Sequence, residues 1–410
     1  MKYAVVTFGC RVNQADSLAI EGEFLARGGV AVSPDEAEVV VVNTCSVTAT
    51  ADQGARQTIR RVARANPSAR LVVTGCYASR APEELASLPN VVHVVPNTHK
   101  ETLLEVLRER VLSTSERFDG GDGPCGSVVA PGVAGRTAFT LRVQTGCDER
   151  CSYCIIPTTR GRGRSKPFDE VLQDVRRAVA AGYKEIAITG VHLGSYGRDL
   201  PEQLSLGVLL QRLAGWPADV LFRVSSLEPM DCTTEVVSLA ASSTRVAPHF
   251  HLPLQHGADS MLRAMRRPYT ATYYSTLVER IARLMPHASI GSDLIVGFPG
   301  ESDAQFEESV AVLRDLPLSH LHVFPYSDRP GTEASALHSK VDGLVIRERA
   351  RRVRAIGAEM TRRFRSAQRG TTRRALVVDD GWSAVTDNYL KVRLEQRAER
   401  NTWTTVTLSQ

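Results

Sequence analysis

One motif, used three times, restricts the fold more than any other feature: a short β-branched run followed at once by a cysteine. The segments are KYAVVTFGC ending at Cys10, AEVVVVNTC ending at Cys45 and ARLVVTGC ending at Cys76. Each run reads as a buried strand. The helical stretches DSLAIEGEFLARGG and TADQGARQTIRRVARANP separate them, and strands alternating with helices make a parallel sheet. Residues just past the carboxyl ends of such strands gather on one edge, where open α/β sheets place ligands. A single cysteine there is a packing residue, but three at equivalent positions point to a shared metal or cluster site with three ligands.

A second triad is local. TGCDERCSYCIIP, Thr145 to Pro157, puts Cys147, Cys151 and Cys154 within eight residues. Four thiolates close a structural zinc or iron–sulfur site, whereas three leave one metal position open. A disulfide here would strand an odd thiol and close only tiny loops. Composition agrees: 410 residues, 43% hydrophobic and 23% charged, suit two or three globular domains. No apolar run is long enough to span a bilayer, and MKYAVVTFGC is too short for a secretory signal. A cytoplasmic location is therefore expected, where the eight cysteines stay reduced.

The rest of the chain divides by pattern. Residues 1–112 hold the amino-terminal α/β domain, and 113–138, rich in Gly, Pro and Ser, read as a linker. Cys125, in that linker, reads as a free thiol without a role. From 139 to 340 six candidate strands appear: FTLRVQTG, EIAITGVHLG, LFRVSSLEP, HFHLPLQ, ASIGSDLIVGF and LHVFPYS. Between them, DEVLQDVRRAVAAG sets Val171, Leu172, Val175 and Val179 on one helical face, with Gly182 ending it. Six strands with intervening helices make part of a parallel (β/α) barrel, two units short of eight. His251 and His256 read as hydrogen-bonded neutral side chains, and Cys232 reads as a packed thiol.

Of 50 basic residues, all but six are Arg, a residue suited to phosphate. Arg347 to Arg374 contains eleven arginines against Glu348 and Glu359. Residues 341–366 thus read as a basic helical connector, and 367–410 as short β-rich pieces.

The C-x-x-x-C-x-x-C spacing of Cys147, Cys151 and Cys154, with Tyr153 before the last, resembles the signature of radical S-adenosylmethionine enzymes. The resemblance implies that these thiolates hold a 4Fe-4S cluster whose open iron seats S-adenosylmethionine, the source of a deoxyadenosyl radical. Gly190 in ITGVHLG, Ser225 in RVSSLEP, Gln255 in HLPLQHG and Gly297 in IVGFPGE resemble that family's cofactor-facing positions, as does Tyr153. Both triads together resemble the methylthiotransferase branch over nearly the whole chain. That likeness implies a second, auxiliary 4Fe-4S cluster on Cys10, Cys45 and Cys76, with tRNA, an electron donor and a sulfur source as partners and no membrane. The last segment resembles a TRAM domain, an RNA-binding β-barrel, although its hairpin AERNTWTT lacks an expected glycine. Branches of the family act on isopentenyladenosine in tRNA, on threonylcarbamoyladenosine in tRNA, or on an aspartate of a ribosomal protein. TFGCRVNQ, CIIPTTRGRGRS, TGVHLGSYG and TDNYLKV look most like the threonylcarbamoyladenosine group. For that substrate's carboxylate, Arg160, Arg162 and Arg164 beside the second triad are the candidate partners. The alternative of another class is a zinc-stabilised RNA-binding protein without catalysis.

Overall fold

In the computed structural model, which describes residues 1–110, 137–202 and 204–409, the amino-terminal strands form one parallel sheet. Its members are β1 (Lys2–Thr7), β2 (Val30–Ala31), β3 (Val39–Thr44), β4 (Arg70–Gly75) and β5 (Val91–Val95), in the order β2-β1-β3-β4-β5. The centre is β3, VVVVNT, buried along its whole length. Val40 and Val42 pack with Ile59 and Val62 of one helix layer, and Val39 and Val41 with Ile20 and Phe24 of the other. A strand covered on both faces needs this continuous β-branched run. The edge strands β2 and β5 were not anticipated, because two residues and a polar-interrupted VVHVV give little periodic signal.

Most of the expected linker, with Cys125, lies outside the described residues. The next strand is β6 (Phe139–Arg142), followed by an antiparallel pair, β7 (Gln144–Thr145) with β8 (Arg164–Ser165), that brackets the second cysteine triad. Then come β9 (Glu185–Thr189), β10 (Leu221–Val224), β11 (His249–His251), β12 (Ser289–Val296) and β13 (His320–Pro325). β6, β9 and β10 pair in parallel, as do β11, β12 and β13. Bridges from Phe222 to Val246 and from Ser226 to His251 join the two sheets into a six-stranded partial barrel. Residues alternate along each strand. Ile186, Ile188, Phe222, Val224, Phe250, Ile290 and Leu294 join the core beneath the outer helices, which leaves Glu185, Arg223, His249, His251, Asp293 and His322 on the lumen side. The helix Phe168–Ala180 buries Val171, Leu172 and Val175, as its spacing predicts.

A helix, Gly343–Ala367, capped by the Asp342 side chain accepting from the Leu344 N–H at 2.8 Å, leads to the last sheet. That sheet is antiparallel: β14 (Thr372–Val378), β15 (Ser383–Thr386), β16 (Lys391–Arg393) and β17 (Trp403–Thr407), ordered β16-β15-β14-β17. The missing hairpin glycine is replaced by Asn401 at φ +61°, since asparagine tolerates the left-handed region. Its side chain also donates to the Gly182 carbonyl at 2.8 Å. With Asn388 donating to His287 O at 2.8 Å and Arg400 to Thr137 Oγ1 at 3.1 Å, this sheet is fastened across the amino-terminal ends of the barrel strands.

Candidate functional site

Cys45 and Cys76 follow β3 and β4 directly, and Cys10 lies three residues past β1. Gly9 stands at φ +92°, and a Cβ there would come within 2.6 Å of the Cys45 sulfur. Gly75 stands at φ +101°, where a Cβ would fall 2.2 Å from Thr44 O. Both positions require glycine on two counts, conformation and space. Buried amides hold the loops: Asn13 donates to Phe8 O at 2.8 Å and Thr44 O at 2.9 Å, and Asn43 donates to Asn13 O at 2.8 Å. Burial pushes the Cys45 thiol up to about 12, and the neighbouring Cys10 and Cys76 push the same way. Thiols that resist ionisation this strongly become ligands only when a cation stands among them. The first triad is therefore gathered as the topology predicts, with Cys10 exposed and the other two buried.

The second triad lies in the loop between β7 and β8. The Cys147 N–H donates to Gly161 O and the Cys154 N–H to Cys151 O, both at 3.1 Å, while the Ser152 hydroxyl anchors the loop to Ala264 O at 2.8 Å. Burial raises Cys151 and Cys154, the latter to about 12. Arg267, 6% exposed, donates from Nη1 to the Cys151 sulfur at 3.0 Å. His192 approaches Cys147 and lies 2.8 Å from Asp231. Burial opposes its charge, but hydrogen bonds to Asp231 and Cys147 overcome this and hold it at about 10. Three thiols in one loop, with cationic donors around them, fit an anionic thiolate-held cluster.

A buried seam joins the surroundings of the two triads. Arg160, on the helix that follows Cys154, is 4% exposed and lies near Cys76 and Cys10. It donates from Nη2 to Asp16 at 2.9 Å and to Asn13 at 2.5 Å. Asp16 also takes Lys100 at 2.9 Å and Arg142 at 2.5 Å. Burial opposes its charge, but these cations hold the carboxyl far below the usual range. Asn97 completes the seam, reaching the Cys76 sulfur at 3.6 Å and Thr159 O at 3.0 Å. Arg160 is thus committed to joining the two halves and is not a free partner for a substrate carboxylate. Arg162 is 93% exposed and paired with Asp148, and Arg164 is exposed.

The other expected positions are distributed around the barrel mouth. Tyr153 packs against the apolar cluster that includes Ala258, Met265 and Phe298. Gly190 lies against Gln144, and the Ser225 hydroxyl bonds Thr189 at 3.2 Å. Gln255 takes φ +67° at the end of the HLPLQ segment. At Gly297 the space of the missing side chain is taken by Ile346, and the N–H donates to Glu301. His256 is buried against Glu301 at 3.0 Å and Cys232 is packed in the core, as their plain readings expect. His251 is not isolated. Its Nε2 lies 3.0 Å from Asp293, which also holds His322 Nδ1 at 3.1 Å. The alternate-residue spacing of HFH, SDL and HLH carried that signal.

Comparisons with known proteins agree with this architecture. Residues 2–96 match the uncharacterized protein family UPF0004, and residues 141–313 match the radical SAM superfamily. The chain is 38% identical over 402 residues to the threonylcarbamoyladenosine tRNA methylthiotransferase MtaB of Aquifex aeolicus (strain VF5), covering 96% of this chain and 97% of that one. It is 34% identical to the tRNA-2-methylthio-N(6)-dimethylallyladenosine synthase of Parafrankia sp. (strain EAN1pec), covering 92% and 78%. Among solved structures, the radical S-adenosylmethionine methyltransferase TsrM of Kitasatospora setae aligns with TM-score 0.58 at 16% identity, covering 82% of this chain and 76% of that one, a likeness of fold. The domain order, the cysteine loop and the full-length relatives have one explanation: the chain belongs to the radical S-adenosylmethionine methylthiotransferase family.

Proposed function

We propose that this enzyme installs a methylthio group at carbon 2 of N6-threonylcarbamoyladenosine beside the anticodon of tRNA. The observation that supports the reading is the seam at Asp16 and Arg160, which joins the helix after Cys10 to the helix after Cys154. Cys147, Cys151 and Cys154 would hold the 4Fe-4S cluster of the family. Cys10, Cys45 and Cys76 would hold a second, from which sulfur is delivered. When bound, the cluster and S-adenosylmethionine supply the hydrogen abstraction that opens carbon 2 to a carbon–sulfur bond.

The chain's own residues position and exclude. Asp16, Asn13 and Arg160 fix the separation of the two triads, and placement of this kind contributes several kcal/mol to a bond-forming step. A cleft of about 430 Å³ between the first helix, the barrel edge and the last sheet is lined by Arg11, Thr140, Glu185, Tyr389 and a Lys391–Asp379 ion pair. Arg354, Arg365 and Arg369 are exposed, which supports phosphate contact by the long helix and the TRAM-like sheet. Others of the eleven arginines serve the fold: Arg349 is buried on Glu301 and Asp303, and Arg373 pairs with Asp387.

The Aquifex aeolicus relative named for threonylcarbamoyladenosine favours that substrate over the isopentenyl one, at 38% identity against 34% for the Parafrankia relative and with 97% against 78% of its length covered. The expected setting is the cytoplasm, with a separate electron donor and sulfur source; no helix among the described residues is long and apolar enough to cross a membrane. Mass spectrometry of nucleosides from a strain lacking this gene tests the assignment. Loss of the methylthio derivative of threonylcarbamoyladenosine alone is expected, and its persistence with another methylthio nucleoside missing would reassign the enzyme.

A further inference from the structure

Arg267 lies in RRPYT, far in sequence from either triad, yet its guanidinium is almost completely buried against the second. Nη1 donates to the Cys151 sulfur at 3.0 Å, Nε donates to the Tyr269 hydroxyl at 3.1 Å, and Nη2 pairs with Glu228. The Tyr269 ring lies 5.1 Å from the guanidinium carbon, and its hydroxyl donates to Pro253 O at 2.8 Å. Every edge of the fork is therefore fixed: one aimed at a ligand sulfur, the others locked from behind. A cation held this firmly in a dry site costs desolvation, and the Glu228 pairing offsets that cost.

We propose that Arg267 and Glu228 form an oriented charge pair that sets the reduction potential of the cluster on Cys147, Cys151 and Cys154. The inference rests on the proposed cluster assignment and concerns positioning residues, since neither side chain needs to touch substrate. With three thiolates, a 4Fe-4S cluster in its oxidised state is singly negative, and one added electron makes it doubly negative. A cation and an N–H donor at a ligand sulfur favour the second state over the first, so they raise the potential. Coulomb energy is large at this range in a buried site. Glu228, behind the guanidinium, works in the opposite sense by cancelling part of its charge. The two residues, though bonded to each other, thus have opposite electrical effects on the same electron.

That opposition separates an electrostatic role from a structural one. The experiment is an EPR-monitored redox titration of the reconstituted full-length chain with Cys10, Cys45 and Cys76 replaced by Ala, so that one cluster gives the signal. Arg267→Met should lower the midpoint potential by an amount equal to a tenfold fall in the reduced-to-oxidised ratio at fixed potential, about 59 mV for one electron. Arg267→Lys should fall between, and Glu228→Gln should shift the potential upward. If Arg267→Met fails to assemble a cluster, Glu228→Gln still decides: an upward shift supports the pair, and a downward or absent shift overturns it. Shifts of the same sign in Arg267→Met and Glu228→Gln also overturn it. Iron and sulfide counts on the same samples separate the two layers of the argument. A parent protein that binds no cluster removes the cluster assignment itself, whereas full clusters with unmoved potentials remove only the charge pair.

Discussion

Asp16 and Arg160 meet at 2.9 Å, each six residues beyond a cysteine, Cys10 in one domain and Cys154 in the other. Both are buried, and Asp16 answers Lys100 and Arg142 as well. Removing the carboxylate leaves three cations together, with only the exposed Glu101, paired to Arg142, as an anion nearby. Asp16→Asn should therefore destabilise the junction by about 3–5 kcal/mol, the usual cost of breaking a buried pair. Arg160→Leu should give a similar loss, and the double variant should fall well short of the sum. Thermal unfolding of the three proteins checks this, and additive losses would show that the residues act separately.

The triads should fail in different ways. Replacing Cys147, Cys151 and Cys154 with Ala should abolish reductive cleavage of S-adenosylmethionine. Replacing Cys10, Cys45 and Cys76 should leave cleavage and remove methylthio product. Quantifying deoxyadenosine and methylthio nucleoside in the same reaction reads both.

Inside the lumen, Asp293 links His251 and His322 on three neighbouring strands. His251 and Asp293 are mostly buried, while His322 is 57% exposed. Polar groups placed where a barrel is ordinarily filled by branched apolar side chains are expected to face the reacting molecules. Asp293→Asn should lower product formation at least tenfold while both clusters still assemble. An unchanged turnover would return these residues to a structural role.

A fourth outcome concerns acid. Burial, helped by His251 and His322, lowers His320 to about 4, below its ordinary value near 6.5. The unfolded chain then takes up a proton that the folded chain refuses, so stability falls as the pH drops from about 6.5 to about 4 and levels off below. Between pH 7 and pH 5 the loss from this group is about 2 kcal/mol. His320→Asn should remove that part of the slope, which melting curves at the two pH values would show.

Arginine position decides the fifth. Substituting Gln for the exposed Arg354, Arg365 and Arg369 should weaken tRNA binding and flatten its dependence on salt, because fewer counterions are released. Arg349→Gln should instead reduce stability, since Glu301 holds it in a buried pair. Affinity measured across a salt series distinguishes the two.

The parallel sheet and both triads were legible because they rest on local signals: β-branched runs, fixed spacings, and strand ends that topology brings together. What was not legible depends on long-range pairing. Nothing near Asp16, Lys100 or Arg160 in the sequence marks them as partners, since Lys100 meets Asp16 only once the amino-terminal domain has folded and Arg160 meets it only after two domains dock. The same reason misdirected Arg160 towards substrate and left Arg267 unnoticed. Gly9 and Gly75 were visible as Gly-Cys dipeptides, but their need for glycine follows from the approach of Cys45 and Thr44 across the sheet. At Gly297, in IVGFPGE, a Cβ would meet the side chain of Ile346, an approach from a distant helix that no local signal marks.

The most direct measurement offers the reconstituted enzyme, with S-adenosylmethionine and a reductant, two tRNAs in parallel, one carrying threonylcarbamoyladenosine and one isopentenyladenosine. The account predicts methylthio product on the first and little or none on the second. Methylthiolation of the isopentenyl tRNA in preference would contradict it.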